Sequence, residues 1–249
     1  CLVFMVKRFP ILHMTAEERR LDGRTCRTLC LMGIPMGLQY SITAIGSIVL
    51  QSAVNGLGSR YVASVAAGTK LFQVICCPFD AMGATMATYC GQNVGAIKLD
   101  RLGQGLRACS LLGLGYALLS FASIFFFAPQ MALLFLNPGE EALIGHTAQY
   151  ITTLGAFFFP LALVNILRFS IQGMGFSNLA ILAGVMEMFA RMGVATLLVP
   201  AIGYTGACFA SPAAWICADL FLIPASCWSI AHLRRVYGQP GERSGSPAP

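Results

Sequence analysis

Residues 28–59 and 108–139 contain no Asp, Glu, Lys or Arg, and apolar runs of similar length recur from Leu29 to the C-terminal tail. A helix of about 20 residues crosses a hydrocarbon core of about 30 Å, and each run reaches that length. A soluble domain alternates apolar and polar faces along nearly every element, and this chain does not. Its composition agrees, with 57% hydrophobic residues, 10% charged residues and a mean hydropathy of +0.72. The chain reads as an all-α integral membrane protein, which decides how every polar residue is weighed.

Six transmembrane helices are expected, at about 29–53, 62–91, 108–135, 147–171, 177–199 and 206–231. Turn chemistry separates them at Asn55-Gly56-Leu57-Gly58, Asn137-Pro138-Gly139, Gly173-Met174-Gly175 and Pro200-Ala201-Ile202-Gly203. Pro35, Pro78, Pro160, Pro212 and Pro224 put a potential break in most of the helices. The chain has no initiator Met and opens on Cys1-Leu-Val-Phe-Met-Val, followed at once by Lys7 and Arg8. That pattern suggests the end of a preceding membrane helix and hence a fragment of a longer polypeptide. The expected organisation is residues 1–28 as that helix end and a cytoplasmic loop, 29–233 as a six-helix lobe, and 234–249 as a disordered cytoplasmic tail.

Lys and Arg alternate strongly between connections. Taking every second extramembrane segment, one set carries thirteen and the other only Arg60. By the positive-inside rule, the rich set and both chain ends are cytoplasmic, in a multi-pass protein of the cell membrane. The net charge of +6 suits anionic lipid headgroups, and no aromatic-basic interleaving points to nucleic acid. Most of the ten Cys lie inside apolar runs and read as small packable residues, with no Cys/His spacing for a metal. Neither HExxH, GxSxG nor GxxxxGK[ST] occurs, so the chain reads as a non-enzyme with no cofactor.

Ionisable groups at mid-bilayer cost at least about 2.5–3.5 kcal/mol unless they meet water or a partner. Lys70, Gln73, Cys77, Asp80, Ala84 and Gly91 share one stripe of the second helix. This stripe reads either as the polar wall of a water-accessible cavity or as a snorkelling Lys70 plus an Asp80 that pairs with another helix. Pro78 frees a carbonyl near Asp80. Glu187 and Arg191, spaced i, i+4, read as a static helix brace, with ion exchange at Glu187 as the other reading. Asp219 has no local partner, and structural hydrogen bonding and proton coupling both stay open for it. Gln51 with Asn55, and Asn165 with Arg168 and Gln172, cluster on helix faces, either to hold helices together or to line a solute path. Arg168 is expected to snorkel to the cytoplasmic surface. Gly33-x-x-x-Gly37 and Gly91-x-x-x-Gly95 permit close helix approach.

Four segments together, in register with the six crossings, resemble the multidrug and toxic-compound extrusion (MATE) family. They are Gly33-Ile-Pro35-Met-Gly37-Leu-Gln39, Gln51-Ser-Ala-Val-Asn55-Gly-Leu-Gly58, Gly91-Gln92-Asn93-Val-Gly95-Ala with Arg101 following, and Arg168-Phe-Ser-Ile-Gln172-Gly-Met-Gly175. The similarity runs from about Asp22 to Leu233. It implies one lobe of a twelve-helix transporter, whose partners are the lipid bilayer, a small organic solute and a missing N-terminal lobe. It further implies export of drugs, organic cations or metabolites in exchange for Na⁺ or H⁺. In some members, acidic residues in the first and fourth helices of this lobe bind the coupling cation. Here the first helix carries Gln39, Tyr40 and Ser41 at its middle, and neither helix holds an acid. Coupling then depends on the missing lobe or on Asp80, Glu187 or Asp219. The competing readings are a lipid-linked oligosaccharide flippase of the same superfamily and a non-transporting remnant.

Overall fold

The computed structural model describes residues 22–237, so the expected preceding helix at Cys1–Val6 and most of the expected tail lie outside the described residues. Two units divide between Ile34 and Pro35. In the first, the Asp22 carboxylate accepts hydrogen bonds from the backbone N–H of Thr25 (2.9 Å), the Thr25 hydroxyl (2.7 Å) and the N–H of Arg24 (3.3 Å). It thereby satisfies orphan donors at a helix start. The Thr25 hydroxyl first, then the two N–H groups, hold this carboxyl below the usual carboxylate range. The cap moves the start of the first helix, α1 (Gly23–Leu57), six residues ahead of the expected boundary, and residues 23–28 are helix rather than loop.

In the second unit, the rest of α1 is followed by α2 (Ser59–Gly95) and α3 (Asp100–Ala132), each with 33 or more residues. Next come α4 (Glu141–Ala156) and α5 (Phe158–Gly173), bent by 54° at Phe157 into one broken span. A fifth span combines α6 (Ser177–Gly193), a π-helical turn (Val194–Leu198) and α7 (Val199–Ile202). The sixth combines α8 (Tyr204–Cys208) and α9 (Ala210–Tyr237). Gly203, with φ of 62°, makes the turn between these last two spans. The chain is a multi-pass membrane protein, with six spans among the described residues when the bent pair counts as one.

Of the five prolines marked as potential breaks, Pro160 alone coincides with one among the described residues. Pro35, Pro78, Pro129 and Pro224 sit inside unbroken helices. Pro212 falls in the first turn of α9, where a backbone N–H has no intrahelical partner to lose. Near Pro78, the Tyr116 hydroxyl donates to the Ile75 carbonyl (2.9 Å), next to the Val74 carbonyl that the missing N–H leaves without its helical donor. The break falls before Pro160, which has no N–H for the Ala156 carbonyl and whose ring crowds that carbonyl. α4 ends at that residue. The helix also runs past the expected tail boundary at 234, to Tyr237.

The core lies where α2 and α3 pack against α4 and α5, and where α9 packs against α5 and α6. Phe79, Leu102, Ile124, Ile151, Phe158, Ile166 and Leu222 are fully buried there. Residues 35–57 of α1 meet this core along one stripe, in which Gln39, Gly46 and Val54 are buried and Thr43 and Leu50 half-buried. Leu111, Leu118 and Phe125 on α3, spaced by seven, present an outward apolar face suited to lipid.

Candidate functional site

Three spans bring ionisable side chains into the apolar interior. Arg168 on α5 donates through Nη2 to Glu187 Oε1 on α6. Arg191, one turn further along α6, holds its Nη1 3.3 Å from Glu187 Oε2. The side chains of Arg168, Glu187 and Arg191 are 10%, 3% and 9% exposed. Arg168 therefore does not snorkel to a surface, as its place near a helix end suggests. A carboxylate on the facing helix gives the guanidinium a partner in the interior, which removes the need to reach water. Asp219 on α9 is buried beside this group, with the Arg168 charge as an electrostatic neighbour. Its Oδ1, like Arg168 Nε and Arg191 Nη1, has no hydrogen-bond partner among the described residues.

The remaining candidates fall into separate pairs. Asn165 on α5 donates Nδ2 to Asp80 Oδ1 on α2 (3.3 Å), which ties the exposed carboxylate to a second helix. Gln172 on α5 donates Nε2 to Gln39 Oε1 on α1 (2.7 Å), with both amides buried. Gln51 donates to Asn55 within α1 (3.0 Å). Lys70 Nζ lies 6.0 Å from the centre of the Phe135 ring, just past the end of α3. Lys70, Gln73, Cys77, Asp80, Ala84 and Gly91 are all exposed, so the polar stripe is the uncovered face of α2. The structure thus joins Asp80 with Asn165 and Gln39 with Gln172, and it does not gather the whole set into one pocket.

A cavity of about 340 Å³ opens elsewhere, between α1, α2, α4, α5, α6 and α9. Of the sequence candidates, Gln51 and Arg191 line it. Phe72 and Trp215, which stack in its wall at 5.8 Å and 12°, were not legible beforehand, because an aromatic in an apolar run carries no sign of what it faces. Among the described residues, no group of three or more His, Cys, Asp or Glu could hold a metal ion.

The family model MatE matches residues 35–198. A probable multidrug resistance protein, YoeA of Bacillus subtilis, is 25% identical over 154 residues, which are 61% of this chain and 33% of that protein. Among solved structures, a crystal structure of MATE in complex with MaL6 aligns with a TM-score of 0.82 at 19% identity, covering 94% of this chain and 54% of the other. The Vibrio cholerae MATE transporter VcmN in its bent form aligns at 0.81 and 17% identity, covering 90% and 51%. The chain spans one third of the length of the Bacillus relative and about half that of the solved chains.

Proposed function

The chain belongs to the MatE family, and from that premise we propose that it is a six-span half of a multidrug efflux transporter, driven by Na⁺ or H⁺ entering the cell. The observation that carries this reading is that the family match at 35–198 runs through the first five of six consecutive spans. Those spans align with about half of a MATE chain. A second six-span half would complete the path, with both ends of this chain in the cytoplasm. The solute would be a drug, organic cation or metabolite, in line with the Bacillus relative's name as a probable multidrug resistance protein.

Asp80 is the proposed coupling group. It lies on the uncovered face of α2, two residues past Pro78, and Asn165 holds it from α5. A carboxylate is a hard-oxygen ligand for Na⁺, and a carboxyl taken out of water can carry H⁺. Glu187, by contrast, is held between two guanidiniums and suits a brace. The test is the full-length protein in proteoliposomes under an imposed Na⁺ or pH gradient. Asp80→Asn is expected to abolish gradient-driven transport while solute binding stays measurable. Transport at the wild-type rate, with the same pH and Na⁺ dependence, overturns the assignment.

A further inference from the structure

The cavity between α1, α2, α4, α5, α6 and α9 has one ionised wall group, and that group is a cation. Arg191 is 7% exposed, and its Nη1 is 3.3 Å from Glu187 Oε2 without a hydrogen bond to it. Glu187 is shared, because its other oxygen accepts from Arg168. One carboxylate therefore serves two guanidiniums, and the Arg191 donors are only partly used. Ser47, Gln51, Thr69 and Ser211 add hydroxyl and amide groups to the wall, and no Asp or Glu is among the lining residues. The stacked pair of Phe72 and Trp215 adds an apolar aromatic section to the same wall.

We propose that this cavity binds an anionic aromatic amphiphile, with its carboxylate or sulfonate on Arg191 and its ring against Phe72 and Trp215. A guanidinium in an interior of low dielectric is costly unless it meets negative charge, and a carboxylate ligand supplies what Glu187 shares out. An organic cation would meet Arg191 with a like charge and find no acid in the wall. A volume of about 340 Å³ suits a ligand of one or two fused rings. This inference concerns binding alone and goes beyond the exchange reading, which it neither needs nor tests.

Two probes with matched bodies, 2-naphthoate and 2-naphthylmethylammonium, separate the charge from the ring. Each is titrated calorimetrically into the purified full-length protein in detergent, with no ion gradient, so a failure of transport does not touch the result. Wild-type protein is expected to bind the naphthoate more tightly than the ammonium. Arg191→Gln is expected to weaken naphthoate binding about tenfold or more. Because that change also unbalances Glu187, Gln51→Glu provides a second variant at an exposed position of α1. It places a carboxylate in the wall, and it is expected to weaken the naphthoate and strengthen the ammonium. Equal or inverted preference in the wild type, or unchanged naphthoate affinity in Gln51→Glu, overturns the proposal.

Discussion

Glu187 shares its two oxygens between Arg168 and Arg191, and this arrangement behaves differently from a simple pair. Half of it was legible, because i, i+4 spacing places Glu187 and Arg191 on one face whatever the tertiary structure. Arg168 was not, since it lies 19 residues away across the α5–α6 turn, and no helical period relates the two positions. The difference can be measured. Glu187→Gln strands two buried cations, at a cost of about 3–5 kcal/mol, whereas Arg191→Ala leaves Glu187 with Arg168 and costs less. Thermal unfolding of the purified protein is expected to show that order. The swapped double variant, Glu187→Arg with Arg191→Glu, is expected not to restore stability, because it sets an arginine against Arg168. A full rescue by the swap would mean that Arg168 takes no part.

Among the elements, the six spans could be read from hydropathy, but the places where helices touch could not. Gly33 and Gly37 have no atom within 4 Å of an added Cβ, and neither has Gly95. Gly91 meets only the Gly173 carbonyl at an ordinary 3.5 Å. The close approach is at Gly173 itself, where an added Cβ would sit 2.3 Å from the Ala87 carbonyl oxygen and 2.8 Å from its Cα. Small-residue spacing in a Gly-rich chain marks many possible contacts, and packing of the neighbouring helix selects one. Gly173→Ala is therefore expected to push α5 from α2 and destabilise by about 1–3 kcal/mol or more, since the obstacle is backbone that no rotamer change can move. Gly95→Ala, in open space, is the matched control. Equal melting temperatures for both variants in detergent would count against this α2–α5 contact. Helix breaks follow the same logic. Pro160 coincides with a break and Pro78 does not, and the sequence shows the missing N–H in both cases but not the Tyr116 hydroxyl that donates to a backbone carbonyl near one of them.

At the scale of the molecule, an even number of spans puts the outer ends of the first and last helices on one side, and the charge pattern is the argument for the cytoplasmic side. With Arg168 buried against Glu187, twelve basic residues fall on one set of segments against one on the other, an asymmetry that needs no tertiary information. The cavity beside Arg191 was not legible in the sequence, because it exists only where faces of six helices meet. Aromatic clusters mark both ends of the helices: Tyr61, His146 and Tyr204 gather near the start of α2 and α4, and Phe176, Trp228 and His232 near the start of α6 and the end of α9. Such groups suit the two membrane–water interfaces, and they bracket the apolar band without giving its direction. Labelling supplies the direction. With native cysteines replaced, Asn137→Cys and Ile202→Cys stand at exposed positions near one set of helix ends, and Lys98→Cys at an exposed position in the α2–α3 connection. In intact cells, a membrane-impermeant maleimide is expected to modify the first two. It should reach Lys98→Cys only after the membrane is opened. Modification of Lys98→Cys from outside, with the other two protected, would reverse the orientation and place both ends of the chain outside the cell.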